Sequence, residues 1–100
     1  MIFGSNGKHY VSNGGIIRDN KGNSQIWNNG IMHSSKGYSG VTSGDITHFK
    51  NKSITKSGNT YYCNGHSYVL NGNTLYGNGK SWVGVNSDRD VRAIIMDNES

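Results

Sequence analysis

Thr60 to Ser87 reads TYYCNGH, SYVLNGN, TLYGNGK, SWVGVNS, four successive units of seven residues. Each unit opens on Ser or Thr and continues with two mostly aromatic or aliphatic residues. The first three close on Asn-Gly plus a polar residue. A two-residue type I′ hairpin turn needs positive φ at both central positions, which Asn tolerates and Gly adopts freely. Asn64-Gly65, Asn71-Gly72 and Asn78-Gly79 therefore predict three successive hairpins. Alternation along the strands puts Tyr61, Tyr68, Leu75 and Trp82 on one face. Thr60, Ser67, Thr74 and Ser81 fall on the other, beside Tyr62, Val69, Tyr76 and Val83. Neither face is wholly polar, so both are expected to be partly covered.

The same frame extends in both directions. Ile2 to Gly22 carries three units, Gly22-Asn23 shifts the register by two residues as a bulge or longer turn would, and residues 25–87 run unbroken. Within that run, Met32 to Asp45 has few apolar residues at strand positions, which predicts a loose loop or poorly packed edge and the greatest mobility. Composition changes gradually, so residues 1–100 are expected to form one β-rich domain with a distinct C-terminal segment, 88–100. That segment holds the longest apolar run, Val91 to Met96. Ser87 with Asp90 would cap a short helix over 88–97, whereas the strong β-formers Val91, Ile94 and Ile95 suit a closing strand. The all-sheet context favours the strand, and either form is expected to plug the core.

Two all-β architectures fit a period of seven. One is an antiparallel meander of short strands, rolled into a barrel or folded into a sandwich so that no edge is left open. The other is a parallel solenoid. Asn-Gly is specific to hairpin turns and favours the meander.

Composition narrows the class further. One hundred residues suffice for one modest core. Hydrophobic content of 32% and charged content of 16% are both low, yet six Tyr, two Trp and two Phe recur at fixed spacing, which argues for order rather than disorder. The net charge of +4 permits contact with nucleic acid, anionic lipid or an acidic protein and selects none of them. It does argue against a DNA mimic, which should be acidic. One cysteine, Cys63, rules out an internal disulfide. With no apolar leader at the start and no apolar run of spanning length, the expectation is a cytoplasmic protein without membrane contact.

Chemical motifs are few. Cys63 and His66 have the spacing of half a zinc site, but no second pair matches, so no metal or cofactor is expected. Cys63 with His9, His33, His48 or His66 is the weak pattern of a nucleophilic site. Two histidines, or one with a carboxylate, would serve a small basic ribonuclease, but no catalytic constellation is visible, and the chain is read as non-enzymatic. Gly79-Lys80-Ser81 resembles the end of a phosphate-binding loop, yet position 74 is Thr and a strand follows.

A stronger pattern lies nearby. Lys50, Lys52 and Lys56 cluster beside His48 and Phe49, with Tyr61, Tyr62, Tyr68, Tyr76 and Trp82 on adjacent predicted strands. Cations for phosphates and rings for bases would make a single-stranded nucleic-acid surface. The leading expectation remains a binding or inhibitory module whose Tyr- and Asn-rich sheet meets a host protein or a protein–nucleic acid complex. Small β proteins of this composition resemble, by analogy, phage- or mobile-element-encoded inhibitors of host defence such as anti-CRISPR proteins. Self-association through open sheet edges into a homo-oligomer is the structural alternative.

Overall fold

The computed structural model describes residues 1–99. Twelve short strands follow one another: β1 Ile2–Gly4, β2 His9–Asn13, β3 Ile16–Asp19, β4 Ser24–Asn28, β5 Ile31–Ser34, β6 Ser39–Ser43, β7 Ile46–Phe49, β8 Lys52–Ser57, β9 Thr60–Cys63, β10 His66–Asn71, β11 Thr74–Gly77 and β12 Lys80–Val83. A single helix, α1 Asp88–Glu99, closes the chain. Each strand pairs antiparallel with the next, and β12 returns to β1 through Phe3↔Val83 and Gly4↔Trp82, so the meander is a closed barrel. This closure excludes the sandwich and the parallel solenoid, and it leaves no open sheet edge through which copies could pair.

Two turn chemistries build the tight hairpins. Asn29-Gly30, Asn64-Gly65 and Asn78-Gly79 have positive φ at both positions, the type I′ requirement. Gly14, Gly44, Gly58 and Gly72 have φ of 62–64° and are followed by a residue outside the positive region, the type II′ pattern. The second expected Asn-Gly turn, Asn71-Gly72, is accordingly displaced by one residue. Asn71 stays in the ladder opposite Thr74, and the turn is Gly72-Asn73. The register shift at Gly22-Asn23 is a four-residue connection between β3 and β4, tied by Asp19 accepting from the backbone N–H groups of Lys21 and Asn23.

Alternation sends Tyr61, Tyr68, Leu75 and Trp82 inward, each no more than 1% exposed. What they enclose is α1. Twelve strands spaced about 4.8 Å apart make a cylinder at least about 18 Å across, wide enough for a helix that with its side chains is about 10–12 Å thick. The closing strand favoured for Val91–Met96 is thus replaced by the helix. Ser87 starts it, its Oγ accepting from Asp90 N–H at 3.2 Å and its carbonyl from Val91 N–H at 3.1 Å. Surrounded on all sides, the helix needs no polar face, and Val91 through Met96 are all buried.

The loose segment expected at Met32–Asp45 is also corrected. It forms β5 and β6 in regular register, with Met32 fully buried. Its missing apolar residues are supplied by the helix: a β-carbon on inward-facing Gly40 would lie 2.8 Å from Met96 Sδ.

Candidate interaction surfaces

Because consecutive hairpins alternate ends, the connections fall into two sets. One rim carries 5–8, 20–23, 35–38, 50–51, 64–65 and 78–79; the opposite rim carries 14–15, 29–30, 44–45, 58–59 and 72–73. Helix α1 enters at the second rim and ends at the first.

At the rim where α1 ends, two carboxylates sit against the negative end of the helix dipole and need cations. Asp97 accepts from Lys8 Nζ, from Lys36 Nζ at 2.6 Å and from the Tyr10 hydroxyl at 2.6 Å. Burial opposes its ionisation, but these hydrogen bonds outweigh it and hold its pKa below the ordinary range. Lys8 also meets Asp19 at 3.3 Å. Glu99 accepts from the Tyr68 hydroxyl and lies 2.9 Å from His66 Nδ1, while Lys52 Nζ donates to the Glu99 carbonyl. Burial first, and the neighbouring carboxylates second, push the Tyr10 and Tyr68 phenols well above their usual range.

At the other rim the fully buried Arg92 organises a second network. Its Nε donates to Asp88 at 2.7 Å, Nη1 to Thr47 Oγ1 at 2.7 Å and Nη2 to the Asp45 carbonyl at 3.2 Å. Tyr61 donates to Asp88 at 2.7 Å, and Lys56 approaches the same carboxylate at 3.6 Å. A groove of about 410 Å³ beside the helix start is lined by Trp27, Gly30, Thr42, Ser87, Asp88, Arg89 and Arg92.

The outer wall differs from both rims. Alternation leaves Arg18 and three histidines, His9, His33 and His48, as its basic side chains; none of its outward strand positions is Lys, Asp or Glu. It carries instead a belt of exposed aliphatic and aromatic side chains. On β9–β12 and β1 these are Tyr62, Val69, Tyr76, Val83 and Phe3, 37–51% exposed.

The candidate nucleic-acid residues are therefore dispersed. Phe49, Tyr61, Tyr68 and Trp82 are buried in the barrel and offer no ring to a base, while Tyr62 and Tyr76 lie on the outer wall. Lys50 and Lys52 sit at the rim where α1 ends, with Lys50 Nζ 5.6 Å from the Tyr38 ring centroid. Lys56 sits at the opposite rim, because four residues of extended chain span about 13 Å. The single cationic and aromatic surface expected from sequence does not assemble.

Sequence reading missed the arrangement that does. Lys8, Lys21, Lys36, Lys50 with Lys52, His66 and Lys80 place a lysine or histidine at each of the six connections of one rim, and the opposite connections have none. The signal was available at twice the period, since cations recur at every second turn.

Cys63 and His66 are paired across the Asn64-Gly65 hairpin. Cys63 is buried, and burial, aided by the Glu99 charge, pushes its thiol up to about 11, the opposite of nucleophile activation. Among the described residues, no group of three or more His, Cys, Asp and Glu is placed to hold a metal. None of the described helices is long and apolar enough to cross a membrane. No protein-family model, curated protein or solved structure matches this chain.

Proposed function

We propose that this chain is a non-enzymatic binding module that docks a protein partner through the uncharged outer wall of β9–β12 and β1. The reading is carried by one observation. From Thr60 to Val83 the outward positions are Thr60, Tyr62, Ser67, Val69, Asn71, Thr74, Tyr76, Ser81 and Val83, none of them charged, and Phe3 continues the patch across the Phe3↔Val83 pair. Tyr76 lies diagonal to Val83, and Tyr62 diagonal to Val69, within reach of one another. Interface centres are depleted in charge and enriched in tyrosine, and a contiguous exposed apolar patch marks an interaction site.

The form of binding follows from the barrel. A closed sheet offers no edge for strand addition, so the contact is made by side chains. Its lumen is filled by α1, so the surface rather than a cavity meets the partner. Such a module acts by covering its partner's surface, as inhibitors encoded by phages and mobile elements do, and the buried free thiol suits the reducing cytoplasm.

The test compares capture of host proteins by three immobilised forms: wild type, Tyr62→Ser/Tyr76→Ser, and Ile26→Ser/Ile31→Ser on the far wall. A protein held by the first and third and lost by the second supports the reading. The same proteins held by all three would sink it. A solution mass well above 10.9 kDa that falls in the Tyr62→Ser/Tyr76→Ser variant would reassign the wall to contact between copies.

A further inference from the structure

We infer that the lysine-bearing rim is a second docking surface, and that its ligand is the phosphate backbone of a nucleic-acid duplex, bound without base recognition. This inference is independent of the wall proposed above. It rests on how the cations are distributed around a closed barrel.

The six connections of that rim alternate in role. Lys8 between β1 and β2, Lys36 between β5 and β6, and His66 after the β9–β10 turn hold the carboxylates of α1. Lys21 between β3 and β4, Lys50 between β7 and β8, and Lys80 after the β11–β12 turn make no ion pair among the described residues. These three recur at every fourth strand of twelve, one third of the circumference apart, with roughly 19 Å of arc between neighbours. The rim as a whole sets six lysines against three carboxylates, Asp19, Asp97 and Glu99. The opposite rim balances Lys56, Arg89 and Arg92 against Asp45, Asp88 and Asp90. The chain's excess charge thus lies at one end, apart from Arg18 on the wall.

Lys50 adds a local observation. Its φ is 51°, matching Asn64 and Asn78 at 52° in the equivalent turns of the same rim. Asn or Gly adopts that conformation with less strain than lysine, so a cation stands where local geometry favours another residue.

The chemistry around the lysines selects among polyanions. The rim connections are otherwise built of Ser, Asn and Gly with the half-buried Tyr38, so they offer hydroxyl, amide and backbone N–H donors of the kind that position a protein on phosphates. They present no exposed aromatic platform on which unpaired bases would stack, which disfavours a single strand. Nor do they present an apolar residue to insert between lipid headgroups, which disfavours a membrane surface. Cations some 19 Å of arc apart on a rigid ring match a stiff, broad polyanion better than one small phosphate.

The deciding measurement is fluorescence anisotropy of a labelled 20-base-pair DNA duplex, its RNA counterpart and a single strand of the DNA, titrated at several salt concentrations. Three neutralised phosphates give a slope of log K against log salt near −2.7, or about a 40-fold loss of affinity between 50 and 200 mM salt. The variant Lys21→Gln/Lys50→Asn/Lys80→Gln is expected to abolish that binding. Arg18→Gln/Lys56→Gln/Arg89→Gln removes as many charges elsewhere and is expected to keep it. Thermal melts of both variants check that each is folded before binding is compared. Tighter binding to the DNA or the RNA duplex identifies which backbone is the ligand. Four results would overturn the inference: no duplex binding at low salt, equal loss in the two triple variants, tighter binding to the single strand, or binding only to vesicles of phosphatidylserine and phosphatidylcholine.

Discussion

Gly40 faces Met96 across the barrel interior so closely that a β-carbon on Gly40 would stand 2.8 Å from the Met96 sulfur. The sheet gives up a side chain at the point where the helix brings its own. Gly40→Ala is therefore expected to overpack the site and cost about 1–2 kcal/mol, softened because Met96 is flexible. In a Met96→Ala background the same change should cost much less. A double-mutant cycle by urea denaturation checks the pair, and equal costs in both backgrounds would mean that the two residues do not compete for space.

Arg92 is the most buried charge in the protein, 1% exposed, and it spends its guanidinium on Asp88, Thr47 and the Asp45 carbonyl. Arg92→Met keeps the apolar stem but removes the guanidinium hydrogen bonds to Asp88, Thr47 and the Asp45 carbonyl, an expected loss of about 1–3 kcal/mol. The loss is limited because Thr47 keeps the Thr42 hydroxyl and the Asp45 carbonyl keeps the Lys56 N–H. Asp88→Asn should cost less, because that carboxylate is 44% exposed and water can replace part of what it loses. Reversal of this order in denaturation midpoints would contradict the assignment of Arg92 as the centre of the network.

Stability should fall at both ends of the pH scale. Asp19, Asp88 and Asp97 have pKa values below the ordinary 3.8, since hydrogen bonds and ion pairs outweigh burial. Their contribution is complete above that value and is lost as pH falls through the lower folded values. Cys63, Tyr10, Tyr61 and Tyr68 are shifted upward, chiefly by burial. Their contribution is complete below 9.0 for the thiol and 10.0 for the phenols, and is lost as pH rises further. A melting-temperature series from pH 2 to 11 should show a plateau between about 5 and 8.5. Cys63→Ala should remove only the thiol's share of the alkaline fall.

Lys50→Gly is expected to stabilise the fold by about 0.5–1 kcal/mol, because it relieves the positive φ in the β7–β8 turn. Asn64→Ala, which imposes the same strain on an equivalent turn, should destabilise by a similar amount. Thermal denaturation of the two variants settles the sign.

Much of the fold was legible in the chain. Period, turn chemistry and the shared face of Tyr61, Tyr68, Leu75 and Trp82 all follow from rules spanning fewer than ten residues. The candidate site was far less so. Lys50, Lys52 and Lys56 are neighbours in sequence, but an extended strand carries Lys56 to the opposite rim. Lys8, Lys21, Lys36, Lys50 and Lys80 meet on one rim only because the sheet closes, and nothing local records that. Alternation already placed Tyr61 and Tyr62 on opposite faces, and closure decided which of the two faces became the core.

By itself the sequence determined an antiparallel meander, its hairpins, and which side chains share a face, because each of these is decided by φ preferences and alternation within one hairpin. Tertiary structure alone decided that β1 pairs with β12, a contact spanning about eighty residues, and that Val91–Met96 is helix. An apolar run with strong β-formers carries both possibilities in its sequence. Only inside a closed cylinder of twelve strands does a helix bury every side and satisfy its own backbone hydrogen bonds, whereas a thirteenth strand there would have no partner for its N–H and C=O groups.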